Sequence, residues 1–97
     1  MTQVYFTEQA LSDLERIFKF LEQQAPEFAI AVGKEIIDAT SVLRRHPLIG
    51  RHTPNNLREL VISKGRSGYV ALYRFFPAVD RIDILAIRHQ RVCGFID

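Results

Sequence analysis

The 97-residue chain can form one small domain, which we expect to span residues 1–97, and its composition is typical of globular proteins at 47 % hydrophobic and 25 % charged. A single cysteine (Cys93), scattered histidines, and the lack of a long apolar run or a signal-peptide pattern disfavour a disulfide scaffold, a metal site and a membrane protein, and fit the cytoplasm. The net charge of +2 divides unevenly, because residues 1–43 carry three basic and seven acidic side chains and residues 44–97 carry ten basic and four acidic ones.

The first half of the chain predicts a short strand followed by two helices. Residues 3–6 (QVYF) contain β-branched and aromatic side chains, and Thr7 can cap the helix that follows. Spacings of three and four predict that one side of this helix is buried, through Leu11, Leu14, Ile17, Phe18 and Leu21. The remaining positions, including Asp13, are predicted to face solvent.

A second helix is predicted after a break at residues 23–27, with Pro26 in its first turn. Its apolar stripe consists of Phe28, Val32, Ile36, Ala39 and Leu43. Basic residues 44–45 and then Pro47 end this helix. The short connection predicts an antiparallel helical hairpin whose two stripes face a common core.

Beyond Pro47 the pattern predicts a sheet. Residues 48–56 predict a loop, and residues 57–62, 69–76 and 81–89 predict strands separated by turns at 63–68 and 77–80. These turns are too short for crossover helices, so the three strands should form an antiparallel meander. The predicted fold class is therefore α+β: a short N-terminal strand, a helical hairpin, and a three-stranded antiparallel meander packed on the hairpin.

The sequence RHQR at residues 88–91 ends the last predicted strand and is the clearest candidate for chemistry. Strand alternation puts His89 and Arg91 on one face, and Arg88 on the other face together with Ile84. A histidine can act as a general acid or base, and an arginine can hold a phosphate. The alternative, which the pattern alone favours, is a group of solvated polar residues at an ordinary strand end.

Other polar residues in the second half also have two interpretations. Arg58 and Arg74 stand among apolar residues, so they either form structural ion pairs or belong to a surface that receives a partner. Tyr73 is either a core residue or a recognition residue. Gly50 is expected to supply a backbone angle that other residues resist. The basic charge either serves an anionic partner or only keeps the domain soluble.

The motifs ALSDLERIFKFL, HPLIGR, LREL, YVALYRF and IDILAIRHQR, in this order, resemble the RelE/ParE superfamily of bacterial toxins across nearly the whole chain. The resemblance implies the toxin half of a type II toxin–antitoxin pair. RelE-like members cut messenger RNA in the ribosomal A site, and ParE-like members poison DNA gyrase and block replication. The fold does not choose between these activities, so the residues must.

Cleavage of RNA requires several cations and a proton-transfer group around one phosphate. Against the RelE-like pattern, Val70 stands where that branch has an arginine, and Val61 and Ser63 fall near its lysines. Arg91 matches a later arginine, and Asp97 ends the chain about where the RelE-like tyrosine would be. These departures favour the ParE branch and gyrase poisoning. The alternatives are an mRNA endonuclease and a degenerate toxin that only binds its antitoxin.

The resemblance also implies which residues meet each partner. The residues expected to face gyrase or nucleic acid are Arg58, Arg74, Arg88, His89 and Arg91, and a nuclease would use His89, Arg91 and Arg58 for catalysis. The residues expected to bind the antitoxin are Leu14, Phe18, Leu21, Phe28, Val32 and Tyr73. We expect a hetero-oligomer with the cognate antitoxin, and neither a metal nor another cofactor.

Overall fold

Two helices pack on one face of a sheet in the computed structural model, which describes residues 1–62 and 68–89. Within those residues the helices are α1 (Glu8–Gln24) and α2 (Pro26–Arg45), and the strands are β1 (Gln3–Phe6), β2 (Arg51–Thr53), β3 (Leu57–Val61), β4 (Tyr69–Phe76) and β5 (Arg81–His89). The strand order is β1-β5-β4-β3-β2, with β1 parallel to β5 and the other neighbours antiparallel. The predicted α+β fold is confirmed.

The sheet is wider than the predicted meander. Residues 51–53, predicted as loop, form β2, which pairs with β3 in the register Arg51 to Glu59. A 3₁₀ turn at Pro54–Asn56 joins the two strands, and Asn55 has the left-handed backbone conformation (φ 67°) that asparagine tolerates better than most residues. With β1 beside β5, the described part of the chain forms a five-stranded sheet.

Helix α1 begins where predicted, and four residues of its predicted stripe, Leu14, Ile17, Phe18 and Leu21, face the core. The Thr7 hydroxyl accepts a hydrogen bond from the Ala10 amide at 3.2 Å and caps the helix, as expected. Leu11 is more than half exposed, so its assignment to the core was wrong. Asp13, assigned to solvent, is buried together with Ala10 and Leu21. The buried face of the helix therefore differs from the predicted stripe only in its first half, where Ala10 and Asp13 are buried in place of Leu11.

The edge of β5 explains why the helix buries an aspartate. Strand β1 pairs only with residues 81–84, so the next part of β5 has no strand on that side. Side chains of α1 and its cap take the place of a strand there. The Asp13 Oδ2 atom accepts a hydrogen bond from the Ile87 amide at 3.0 Å, and the Thr7 hydroxyl donates to the Leu85 carbonyl at 3.1 Å. Backbone groups that would otherwise be buried without partners are thereby satisfied.

Helix α2 begins at Pro26, as predicted, and buries three residues of the predicted stripe, Val32, Ile36 and Leu43. Phe28 is more than half exposed and was wrongly assigned to the core, because the helix reaches the buried cluster only after its first turn. The core lies between the helices and the middle strands. Its largest fully buried side chains are Tyr73, Leu43, Ile82, Ile84 and Ile87.

A β-bulge in β5 changes which residues share a face. Leu72 pairs with Ala86 whereas Tyr73 pairs with Ile84, so Leu85 is the extra residue. After the bulge, His89 lies on the helix-covered face with Ile84, and Arg88 lies on the open face with Ala86. The predicted separation of Arg88 from His89 is correct. The predicted grouping of Arg88 with Ile84 is wrong, because strict alternation fails at a bulge.

Candidate functional site

The face of the sheet that the helices leave uncovered, called the open face below, has more charge than the opposite face. Strand register and burial assign it the following described residues: Tyr5, Glu59, Val70, Leu72, Arg74, Phe76, Arg81, Asp83, Ala86 and Arg88. Arg81 already has partners within the protein. Its Nε lies 3.1 Å from an Asp83 carboxylate oxygen, and its guanidinium stacks 4.9 Å from the centre of the Phe76 ring. This arginine therefore has much of its charge compensated within the protein.

Arg74 and Arg88, the open-face arginines of the two central strands, differ in exposure. Arg74 is half-buried, and its terminal nitrogen lies 3.4 Å from the Asn55 carbonyl, so it contacts the 3₁₀ turn between β2 and β3. Arg88 is exposed. Both were predicted to face a target, and the structure puts Arg88 in the better position for that contact.

A cavity of about 340 Å³ opens on this face beside Arg88. Its lining combines the 3₁₀ turn with the middle strands: Thr53, Pro54, Asn55, Glu59, Val70, Leu72 and Arg88. Glu59 also forms an ion pair with Arg51. One cation, one carboxylate and two aliphatic side chains form a weak environment for a phosphate, whose recognition favours several cations and hydrogen-bond donors.

His89 lies on the other face, against helix α1. Its ring meets the Tyr69 ring edge-on, with ring centres 5.4 Å apart and an angle of 84° between the planes. Burial raises the pKa of the Tyr69 hydroxyl. A cavity of about 550 Å³ lies here, lined by Gln9, Asp13, Arg16, Ile17, Phe20, Tyr69, Ile87, Arg88 and His89. His89 is thus part of a groove between α1 and the strand ends.

Asp13 forms the polar floor of that groove and was not identified from the sequence. Burial alone would raise its pKa, but hydrogen bonds from the Ile87 amide, the Gln9 amide side chain and the Arg16 guanidinium outweigh burial and leave the pKa below its usual 3.8. The available signal was its spacing, three residues after Ala10 and four before Ile17, which puts it among core positions.

Arg58 and Tyr73 together hold the loop that follows helix α2. The Tyr73 hydroxyl donates to the Pro47 carbonyl at 2.8 Å and accepts from the Gly50 amide at 2.9 Å. The Arg58 guanidinium donates to the carbonyls of Leu48 and Gly50, at 3.1 and 2.9 Å. The structure therefore gives both residues a role inside the fold, where the sequence had assigned them to partners.

Gly50 is required because of a close approach. A Cβ there would lie 2.6 Å from Cε1 of Tyr73 and 2.9 Å from the Glu59 carbonyl oxygen. Its φ lies outside the left-handed region, so the expected reason, an unusual backbone angle, was wrong. The tyrosine that anchors the loop leaves no room for a side chain.

The residues predicted to bind the antitoxin are only partly accessible. Tyr73, Leu21 and Val32 are buried, which makes them core residues in this structure, while Leu14 and Phe18 are half-buried. Phe28 is exposed. Other exposed apolar residues lie on the same two helices and were not predicted as contacts: Leu11, Phe20, Ile30, Ile37 and Val42. Arg91 and Cys93 lie outside the described residues.

The described residues form neither a metal site nor a membrane-spanning helix. Among residues 1–62 and 68–89, no three histidine, cysteine, aspartate or glutamate side chains come close enough to hold a metal ion. Neither described helix has the length and apolar character needed to span a membrane.

Comparisons with known proteins agree with this architecture. Residues 4–92 match the family described as the ParE toxin of type II toxin–antitoxin systems. The chain is 35 % identical over 90 residues to Toxin RelE3 of Caulobacter vibrioides, covering 93 % of this chain and 96 % of that one.

Solved structures give the same fold. The chromosomal ParDE system from P. aeruginosa has a TM-score of 0.71 at 24 % identity, covering 92 % of this chain and 96 % of that one. The RelBE2 toxin–antitoxin complex from Mycobacterium tuberculosis has a TM-score of 0.65 at 25 % identity, covering 92 % and 98 %. The E. coli RelBE complex is more distant, with a TM-score of 0.54 at 16 % identity, covering 92 % and 96 %.

Proposed function

The chain belongs to the ParE toxin family of type II toxin–antitoxin systems, and we propose that it acts in the cytoplasm by poisoning DNA gyrase, which blocks replication until the antitoxin neutralises it. Its role as a toxin follows from the family. The choice of gyrase over messenger RNA is supported by the positions of the candidate site residues on the two faces of the sheet.

One observation supports the choice of gyrase: the two nuclease candidates that the structure describes, His89 and Arg58, do not converge. His89 lies on the helix-covered face, and the Arg58 guanidinium is bonded to the loop after α2. The open-face cavity offers Arg88 beside the aliphatic side chains of Val70 and Leu72. A general base and several cations around one phosphate are therefore not assembled by the described residues, which supports a toxin that acts by binding.

Ribosome-dependent cleavage of messenger RNA is the second candidate. It is favoured by the relative named Toxin RelE3, which matches over nearly the full length of both chains. Arg88 borders both cavities and lies next to His89 in sequence, so a bound ribosome would have to bring the remaining groups to this strand end.

We also propose that the antitoxin covers the exposed side of the helical hairpin and continues to the sheet. The hairpin exposes several apolar side chains, and such a surface is typical of a protein interface. The similar solved structures are toxin–antitoxin complexes, which supports an antitoxin as the partner. An added strand or an amphipathic helix would suit this surface.

The proposed function is tested by inducing the chain in bacteria without antitoxin while DNA and protein synthesis are followed by pulse labelling. We expect DNA synthesis to stop first, with filamentation and a DNA-damage response. His89→Gln should keep this effect, and Arg88→Ala combined with Arg91→Ala should lose most of it, because charge can bind a target where no proton is transferred. Protein synthesis that stops immediately would indicate the mRNA endonuclease.

A further inference from the structure

We propose that residues 44–52, called the 44–52 loop below, form the contact by which this toxin binds a protein target, and that they fit an acidic surface from which an apolar side chain projects. The inference rests on the proposed function in one respect, namely that the toxin acts by binding a macromolecule. It adds which surface of the toxin makes the contact and which chemistry the partner presents.

The 44–52 loop exposes two consecutive aliphatic residues. Leu48 is 57 % exposed and Ile49 is 53 % exposed. With Pro47 and Phe75 they border a cavity of about 550 Å³ that has Arg45 and His46 at its rim. Single exposed aliphatic residues are common on proteins, but a consecutive pair that lines an open, mostly apolar depression is a surface on which a partner's apolar side chain can pack.

Hydrogen bonds hold the backbone of the loop in place, and these bonds do not involve the side chains of Leu48 and Ile49. Four hydrogen bonds from Tyr73 and Arg58 hold the backbone of residues 47–50, and the Ile49 amide donates to the His46 carbonyl at 3.1 Å. The buried Tyr73 hydroxyl and the partly exposed Arg58 guanidinium thus fix the conformation of a segment in which Leu48 and Ile49 are exposed. A preformed contact loses less entropy on binding, so this arrangement favours recognition.

The charges around the aliphatic pair define the partner. Arg44, Arg45 and Arg51 are exposed, and residues 44–58 contain no acidic residue. Arg51 is paired with Glu59, which leaves the two arginines at the end of α2 directed at solvent. Carboxylates on a partner would complement them while an apolar side chain fills the cavity. A nucleic acid would use the arginines but has no such side chain for the cavity.

The loop lies at the opposite end of α2 from the turn of the hairpin, and only Val42 of the hairpin surface proposed for the antitoxin is close to it in sequence. Helix α2 has 20 residues, so at 1.5 Å per residue the loop lies about 30 Å from the turn between the helices. An antitoxin on the hairpin and a target on the loop can therefore be distinguished by substitution.

The test compares two double variants that remove equally exposed aliphatic residues. Leu48→Ser with Ile49→Ser changes the loop, and Ile30→Ser with Ile37→Ser, at positions 65 % and 66 % exposed on α2, is the control. Growth arrest is measured after induction without antitoxin, antitoxin affinity is measured on purified protein, and thermal unfolding reports the fold. We expect the loop variant to lose toxicity roughly 100-fold with its antitoxin affinity nearly unchanged, and the control to remain toxic.

Three results would overturn the inference. The first is a folded loop variant that stays fully toxic. The second is an equal loss of toxicity and antitoxin affinity, which would assign the loop to the antitoxin interface. The third is full toxicity of the loop variant together with loss of toxicity in Arg44→Ser with Arg45→Ser, which would indicate the phosphates of a nucleic acid. If the double variant unfolds early, Leu48→Gln, which keeps the size of the side chain, carries the same test.

The role of the loop and the identity of the target are tested by different outcomes. Toxicity that depends on the loop, in a protein that leaves gyrase supercoiling intact, would refute the proposed gyrase target and keep the inference. Gyrase inhibition that survives loss of Leu48 and Ile49 would refute the inference and keep the target. A wild-type chain without any toxicity would refute both.

Discussion

Tyr73 shows how the hydrogen-bond partners of a residue determine its role. The sequence left it as either a core or a recognition residue, and the family resemblance assigned it to the antitoxin, yet it is fully buried and its hydroxyl joins two backbone groups of the loop after α2. Burial raises the pKa of this hydroxyl, while the hydrogen bond to Gly50 and the nearby Arg58 act in the opposite direction. The residue therefore stays neutral and serves as an anchor.

Removing that hydroxyl should cost stability without creating a large cavity. In Tyr73→Phe the Gly50 amide and the Pro47 carbonyl lose their partner in a buried place, so the free energy of unfolding should fall by about 1–3 kcal/mol. Urea unfolding measures the change. The control is Tyr5→Phe, a tyrosine that is about half exposed, for which less than about 0.5 kcal/mol is expected. An equal effect of both substitutions would contradict the anchoring role.

Asp13 should make stability depend on acid pH. Its pKa is lowered in the folded protein, so its contribution is present above the unfolded value and is lost as pH falls through the folded pKa. Asp13→Asn should lower the free energy of unfolding by about 1–3 kcal/mol at pH 7, and the difference from wild type should shrink between about pH 5 and pH 2.

Denaturant unfolding at several pH values checks the Asp13 prediction. Glu15→Gln removes an exposed carboxylate of the same helix and should change stability by less than about 0.5 kcal/mol at neutral pH. A difference between wild type and Asp13→Asn that does not change with pH would show that the carboxylate charge does not hold α1 to β5.

At the scale of elements, the two helices approach closely at a glycine. A Cβ on Gly33 would lie 3.9 Å from Cε1 and Cζ of the Phe18 ring, which is ordinary contact. Gly33→Ala should therefore keep the hairpin intact and stabilise the protein by about 0.5–1 kcal/mol, through the higher helix propensity of alanine. The melting temperature measures this, and a decrease would mean that the helices cannot accept the added methyl group.

Gly50→Ala is the opposite case and makes a matched comparison. The added Cβ would clash with Tyr73 and with the backbone of Glu59, so we expect a loss of about 1–3 kcal/mol. The same chemical change should thus stabilise the protein in α2 and destabilise it in the loop. Equal signs for the two substitutions would refute this interpretation of the two sites.

The hairpin is also where the antitoxin is expected to act. Coupled folding of an antitoxin segment would bury extensive surface on α1, α2 and the sheet, and would slow hydrogen exchange there. Hydrogen exchange of the free and bound toxin should therefore differ in both regions. Unchanged protection in the hairpin and in the sheet would exclude the proposed mode of binding.

Periodicity predicted the elements well because each element is encoded locally. The bounds of α1, α2, β4 and β5 follow spacings of apolar residues and the positions of Thr7, Pro26 and Pro47. The pairing of β1 with β5, the short β2 and the bulge at Leu85 depend on residues far apart in the chain. The spacing of Asp13 puts it among core positions, but its partner, the Ile87 amide, lies 74 residues away in the chain and no local pattern indicates it.

At the scale of the whole molecule, charge and shape divide the surface into separate regions. The acidic first half forms the hairpin, whereas the basic second half supplies the arginines of the open face. The sequence could name the residues proposed for each partner but not their contacts: burial makes Tyr73, expected to bind the antitoxin, a core residue, and hydrogen bonds hold Arg58, expected to face the target, to the loop after α2. Exposed Arg88 remains on the open face, and the family relationship supplies the toxin role.

The most direct test is an assay of the purified toxin on purified DNA gyrase, in parallel with ribosomes translating a defined message. The gyrase proposal predicts that wild type and His89→Gln inhibit supercoiling or trap cleaved DNA, and that the message stays intact. Arg88→Ala with Arg91→Ala should lose the inhibition while keeping the melting temperature of the wild type. Unimpaired gyrase, together with a message cut in the A site by wild type and left uncut by folded His89→Gln, would contradict the account and establish the nuclease in its place.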